Sequence, residues 1–318
     1  MFFGGGTPSL MEPELVYNII ATITKLNNNK PLLEVTLESN PSSVEISKLR
    51  AFKDAGVNRV SIGVQSFNDN SLQVLGRNHG AKEAIAAITM ANKVFNRVSF
   101  DLINGLPGQT LADWQTELKT ALPFINSHLS VYELTIEPGT PFFKQKVPTA
   151  KSKLAVELLN YTISTLAKRS IYPYEISNYA KIGQESLHNL QYWQGGLYLG
   201  VGPGAHGRII EKGNLYTTTS YKNPQKWLQL ALENKEVFSE YSLLTQEERI
   251  LELLILNLRL YKAIPLMLRK YIKEEALLFL QQEDLLKKEQ NNFYITLKGK
   301  MRLNSVIEYL SNYLVLGS

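Results

Sequence analysis

The strongest constraint on the fold is a repeated alternation of strand and helix signals over the first 140 or so residues. From Leu32 to Glu38, Leu33, Val35 and Leu37 fall on one face, and Glu34, Thr36 and Glu38 on the other. Val57–Gln65 repeats this, with Val60, Ile62 and Val64 opposed to Arg59, Ser61, Gly63 and Gln65. So does 97–103, where Val98, Phe100 and Leu102 oppose Arg97, Ser99 and Asp101. A further strand is expected over Leu129–Ile136. Period-two segments joined by helices through short loops predict a parallel sheet. The apolar faces should meet the helices and the polar faces should line an interior. In such folds ligands bind at the carboxyl ends of strands, where Gly5, Glu38, Gln65 and Asp101 fall.

The chain opens on Met1-Phe2-Phe3-Gly4-Gly5-Gly6-Thr7-Pro8-Ser9, which reads as a strand end, a glycine turn and a helix start. Glycines there let the backbone approach a ligand with its N–H groups exposed. Ser9 with Glu12, Ser42 with Glu45 and Thr245 with Glu248 fit the capping-box pattern, and Thr110 fits a helix cap. Helices are expected over about 81–95, 150–170, 245–258 and 264–280, with a last one through Met301–Leu310. Tyr172–Asn178 reads as a short extended piece. Leu199–His206 is a glycine-rich loop whose backbone must pass close to something. Leu285–Leu297 reads as a hairpin. The domains expected are 1–145, 146–240 and 241–318, the last resembling a winged helix.

Composition excludes several classes. No apolar run is long enough to span a bilayer, and no signal peptide is visible, so a cytoplasmic location is expected. The net charge of +5 is spread along the chain, and the charge near the C-terminus is mixed, so nucleic acid is not an expected partner. There is no cysteine, which removes disulfides and thiolate metal sites from this chain.

Read together, Gly4-Gly5-Gly6-Thr7-Pro8-Ser9, Glu38-Ser39-Asn40-Pro41, Gly63-Val64-Gln65-Ser66-Phe67, Leu75-Gly76-Arg77-Asn78-His79, Asp101 to Thr110, Glu137-Pro138-Gly139-Thr140-Pro141 and His188-Asn189-Leu190-Gln191-Tyr192-Trp193 resemble one family. It is the radical SAM family of oxygen-independent coproporphyrinogen III oxidase-like proteins, and within it the haem chaperone (HemW) branch. The resemblance implies a partial (β/α)6 barrel, here without its first strand, and a small C-terminal α+β domain. It implies that Gly5, Gly6 and Thr7 contact S-adenosylmethionine, and that Glu38, Gln65, Arg77 and Asp101 hold its ribose, amino and carboxylate groups. A carboxylate suits ribose hydroxyls or an ammonium, and an arginine suits a carboxylate. It also implies His188 as an axial ligand of haem iron, with Tyr192 and Trp193 beside it; His206 is a second candidate, and His79 reads as an ordinary loop histidine.

The family further implies a [4Fe–4S] cluster on a Cys-x3-Cys-x2-Cys loop, which this sequence lacks. Whether the chain is an enzyme is therefore open. The start within a strand favours a truncated copy, and a divergent, cluster-free binding protein is the alternative. The function expected is haem binding and transfer to acceptor proteins. Coproporphyrinogen III decarboxylation and an inactive fragment are the alternatives. Expected partners are haem and its acceptor proteins, together with a homodimer and peripheral association with membranes.

Overall fold

The computed structural model describes residues 1–315, without the side chains of Ser43 and Val44. Two compact units are formed, residues 1–188 and 189–318.

The first unit is built on a seven-stranded sheet. Its strands are β1 (Phe2–Phe3), β2 (Thr36–Ser39), β3 (Arg59–Gln65), β4 (Arg97–Asn104), β5 (His128–Glu133), β6 (Tyr172–Pro173) and β7 (Asn178–Ala180). The order is β1-β2-β3-β4-β5-β7-β6. The first five are parallel, and β7 and β6 close the far end antiparallel. β1 pairs β2 alone, so it forms one edge. Helices Pro13–Leu26, Ser43–Asp54, Ala81–Val94 and Leu111–Ala121 return the chain between parallel strands.

The alternation expected from the sequence governs the packing. Val60, Ile62, Val64, Val98, Phe100, Leu102, Leu129 and Val131 are buried in one core with Phe52, Ile88, Trp114 and Leu118 from the helices. The opposite strand face is polar, and Ser61 Oγ lies 3.0 Å from Ser99 Oγ across it. Helix starts follow side-chain capping. Ser42, Thr110 and Thr245 each accept an N–H three residues on and bond the acid there.

The Ser9–Glu12 box does not form. The helix starts at Pro13 after an extended Glu12 that makes no side-chain cap. Ser9 lies in a 3-10 turn, Pro8–Leu10, and its hydroxyl donates to Glu45 instead. Glu45 also accepts from Asn40 N–H (2.7 Å), Ser42 Oγ (3.0 Å) and Ser39 Oγ (3.3 Å). One buried carboxylate thus gathers the segments after β1 and β2, and a long-range acceptor with several donors outcompetes a local cap.

The second unit contains a three-stranded antiparallel sheet, β8 (His206–Glu211), β9 (Asn214–Ser220) and β10 (Phe238–Leu243), in the order β10-β9-β8. The glycine-rich 199–206 segment passes against its own neighbour: a Cβ at Gly200 would meet the His206 carbonyl oxygen at 2.0 Å. Helix Gln246–Asn257 and the hairpin β11 (Leu286–Glu289) and β12 (Asn292–Ile295) share a separate core around Leu254, Leu277 and Phe293. The expected 264–280 helix is two pieces, Leu266–Arg269 and Glu274–Gln282. Ile272, between them, makes a β-bridge to Leu314 that takes the chain out of the helix.

Candidate functional site

The polar strand face is layered. At the amino ends of the strands lie Glu34, Arg59, Arg97 and His128, of which Glu34, Arg59 and His128 are almost fully buried. Arg97 Nη1 is 2.8 Å from Glu34 Oε2. Burial pushes the Arg59 guanidinium down, the neighbouring charge of Glu34 opposes this, and Arg97 adds to it. His128 Nε2 is 2.9 Å from the Tyr174 hydroxyl, and burial followed by the two arginines holds the ring well below its ordinary pKa. Along each strand the next position on this face, Thr36, Ser61, Ser99 or Ser130, is small and polar. Toward the carboxyl ends come Glu38 and Asp101, with Gln65 ending β3.

The glycine turn meets this upper layer. Gly5 N–H donates to Glu38 Oε2 at 3.0 Å. Gly5 and Gly6 have φ of 75° and 57°, and a Cβ on either would meet nothing within 4 Å. The turn therefore needs glycine for its left-handed backbone and leaves open space above it. Gly4 needs glycine for another reason: a Cβ there would lie 2.4 Å from the Phe2 ring and 3.2 Å from Glu38 Oε2. The Thr7 side chain makes no cap bond.

Burial raises the Glu38 carboxyl, and the Gly5 N–H works against that rise. Asp101 is pushed up to about 6, first by burial, with a Ser130 hydrogen bond opposing, Glu38 adding, and Arg59 and Arg77 opposing. Asp101 thus feels the charges of both Glu38 and the exposed Arg77. Burial and then Asp101 also raise the Tyr132 hydroxyl, which bonds Ser130 and Asn178.

Gln65 has φ of 72°, in the left-handed region that non-glycine residues avoid, at a register shift in the β3–β4 pairing. Its neighbours lock that conformation. His79 Nε2 lies 3.0 Å from the Val64 carbonyl, and Glu117 accepts the Phe67 N–H at 2.5 Å. A left-handed residue held at a strand end makes Gln65 a candidate functional position. His79 is hydrogen-bonded within the fold, as a loop histidine should be.

His188 belongs to the other end of the face. It is the second residue of the short helix Leu187–Trp193. Glu34 accepts the N–H groups of Leu187 and His188, each at 3.2 Å, so the Glu34–Arg97 pair holds the start of that helix. The imidazole stacks on Phe2, with ring centroids 3.9 Å apart and planes 8° apart. Burial lowers its pKa to about 4; Glu34 opposes, and the chain's amino group and Arg59 add. The ring is therefore neutral at pH 7. His206 is exposed on β8 in the second unit, 3.3 Å from Thr219 Oγ1. That unit has a cavity of about 440 Å³ lined by Arg249, Leu253, Asn257 and Lys262, and none of the expected site residues borders it.

The structure thus brings Gly5, Glu38, Asp101 and Arg77 into one electrostatic group, with Gln65 at the end of the neighbouring strand, and puts His188 at a second place. Sequence reasoning gave no role to Phe2, Glu34, Arg97 or Tyr132. Glu34 and Arg97 had a signal, because each shares a period-two face with an expected site residue.

A family model described as the Radical SAM superfamily matches residues 1–121. The chain is 35% identical over 321 residues to "Heme chaperone HemW" of Bacillus subtilis, covering 96% of this chain and 83% of that protein. It is 34% identical over 318 residues to the protein of the same name from Haemophilus influenzae, covering 97% and 82%. The chain belongs to the HemW-like radical SAM family. A mitochondrial radical S-adenosyl methionine domain-containing protein 1 of Bos taurus is 44% identical over 218 residues; this HemW-like chain spans about half that relative, 49% of its length. Among solved structures, coproporphyrinogen III oxidase (HemN) from Escherichia coli aligns with a TM-score of 0.80 over 98% of this chain and 77% of that one. At 21% identity it supports the fold, a radical SAM α/β sheet.

The family implies S-adenosylmethionine and a [4Fe–4S] cluster. The HemW-like chain has no cysteine, and its described residues contain no cluster of three or more His, Cys, Asp or Glu able to hold a metal. These residues do not fit an iron–sulfur cluster, which needs thiolates. They do fit S-adenosylmethionine: an open glycine turn beside two partly buried acids suits a ligand carrying an ammonium, a sulfonium and ribose hydroxyls.

Proposed function

We propose that this protein binds haem through His188 and transfers it to acceptor proteins, and that the Gly4–Gly6 turn binds S-adenosylmethionine. One observation carries the haem assignment. His188 is a histidine kept neutral by burial, on a helix start pinned by Glu34 and with its ring plane fixed by Phe2. A neutral imidazole offers an in-plane lone pair to iron, and protonation would remove it. The names of the bacterial relatives support the same reading.

In this proposal Glu38 and Asp101 take the cationic and hydroxyl groups of S-adenosylmethionine. Arg77 takes its carboxylate, Gln65 adds amide contacts, and Gly5, Gly6 and Thr7 contact the methionyl end. Bound S-adenosylmethionine would supply a sulfonium beside these acids. Radical decarboxylation of a porphyrinogen is not part of the proposal, because it needs a cluster that these residues do not fit. Haem-acceptor proteins are the proposed partners, in the cytoplasm. Among the described residues no helix is long and apolar enough to cross a membrane. A homodimer and peripheral membrane association rest on the family resemblance alone.

Haem titration followed at the Soret band tests the haem assignment. Stoichiometric binding that is lost in His188→Ala and kept in His206→Ala is the expected result. Equal binding by His188→Ala and the parent protein would refute it.

A further inference from the structure

We infer that Phe2 is a positioning residue for His188, and that Gly4 is glycine so that the Phe2 ring can take this position. The inference rests on the haem-binding reading and deepens it.

The stack is close. Centroids 3.9 Å apart with planes 8° apart put the two rings face to face in contact, an arrangement that an offset aromatic pair favours. The backbone is held on both sides of it. On one side, Glu34 accepts the backbone N–H groups of Leu187 and His188, so the imidazole hangs from an anchored helix start. Arg97 holds Glu34 in turn. On the other side, Phe2 is in β1, whose residues pair with Thr36 and Leu37. The Phe2 ring fills the space a Gly4 Cβ would need, with Cε1 2.4 Å and Cδ1 2.9 Å from that point. The backbones that carry both rings are thus anchored.

This geometry suits a metal ligand. Stacking uses the faces of the imidazole, whereas coordination uses a lone pair in the ring plane. A platform against one face therefore fixes the direction of the lone pair without competing for it. It also reduces the rotamer freedom that the imidazole would lose on ligation, so binding costs less entropy. Leucine at position 2 would keep an apolar contact and lose the flat platform; tyrosine would keep the platform.

The experiment compares hemin titrations of the full chain carrying Phe2→Leu, Phe2→Tyr, Gly4→Ala or His188→Ala, with circular dichroism and melting curves as checks on folding. Freeing one side chain that must be immobilised on ligation corresponds to about a two- to tenfold weakening. Phe2→Leu should bind hemin that much more weakly, with a broadened Soret band from an imidazole in several orientations, and Phe2→Tyr should restore both. Gly4→Ala, which displaces the ring and leaves Phe2 in place, should reproduce the leucine result. Should Phe2→Leu fail to fold, Gly4→Ala and Phe2→Tyr still decide the matter. Parent-like affinity and band shape in a folded Phe2→Leu or Gly4→Ala protein would overturn the inference. If His188→Ala loses hemin while those two variants keep it, only the role of Phe2 falls; if His188→Ala keeps it, the haem assignment falls as well.

Discussion

Removing Arg97 should cost more stability than any change on the open side of the sheet. Arg97 Nη1 pairs with Glu34 at 2.8 Å, and the Glu34 side chain is only 3% exposed. An Nη2 bond to the Glu185 carbonyl, at 2.8 Å, adds a second tie. Arg97→Met strands a buried carboxylate, and breaking a buried pair from one side costs about 3–5 kcal/mol. Two N–H groups still bond Glu34 and the Arg59 charge remains near, so the lower end applies, about 3 kcal/mol. With an m-value of about 2–3 kcal/mol per molar urea, the unfolding midpoint of the first unit should fall by about 1–1.5 M. Its buried Trp114 provides the fluorescence signal. The double variant Glu34→Gln/Arg97→Met should recover part of the loss, because no carboxylate is stranded and the glutamine oxygen still accepts a helix N–H, while the buried Arg59 loses its Glu34 partner. A midpoint for Arg97→Met within about 0.3 M of the parent would refute the argument. So would a double variant no better than the single one.

Three further outcomes follow from the upper layer. Asp101 is pushed up to about 6 from an ordinary value of 3.8, so the folded protein binds that proton more tightly than the unfolded chain does. Its stability contribution is complete below about pH 4 and is lost as pH rises through about 6; Asp101→Asn should melt higher than the parent at pH 7.5 and lose that advantage by pH 4, and identical pH profiles would contradict this. Gln65 pays for its left-handed backbone, so Gln65→Gly should be more stable than Gln65→Ala by about 1 kcal/mol in chemical denaturation. Both should weaken S-adenosylmethionine binding. Glu38→Gln loses the charged acceptor of the Gly5 N–H, and calorimetry should show S-adenosylmethionine binding weakened by about ten- to a hundredfold, in line with a charged hydrogen bond; unchanged affinity would remove Glu38 from the site.

Local rules made part of this structure readable in advance. The period-two faces at Val60–Val64 and Val98–Leu102 were visible because one face of each strand is buried, and burial forces the alternation. Ser42, Thr110 and Thr245 were visible as caps because their partners lie three residues away. Ser9 looked equally good, but its hydroxyl had a stronger acceptor at Glu45, far along the chain. The β8–β10 sheet went unread because Thr217, Thr218 and Thr219 are polar on both faces, so no alternation stands out. The break at Ile272 carries no glycine or proline and depends on a bridge to Leu314. Among the site residues, Glu38 and Asp101 could be read from strand position and family motif. The seat of His188 could not, since it joins Phe2, Glu34 and Arg97 across most of the first unit.

That seat also bears on how one sheet would serve the two proposed ligands. At the amino ends of the strands, Arg59 and Arg97 face Glu34, so one of the two positive charges there is matched within the protein and the layer works as a brace. Toward the carboxyl ends, burial raises both Glu38 and Asp101, Glu38 raises Asp101 further, and the nearby cation, Arg77, stands exposed at the rim. The excess negative charge there favours a cationic ligand. The side chains between them, Thr36, Ser61, Ser99 and Ser130, are uncharged, and the two ends are coupled through space: Arg59 opposes the rise of Asp101. A charge introduced there, such as Ser99→Asp, would give the arginines a second acid and leave the acids above with a third like charge. Binding of a cation at the glycine turn and the hold of Glu34 on the His188 helix would then be tied more tightly to each other.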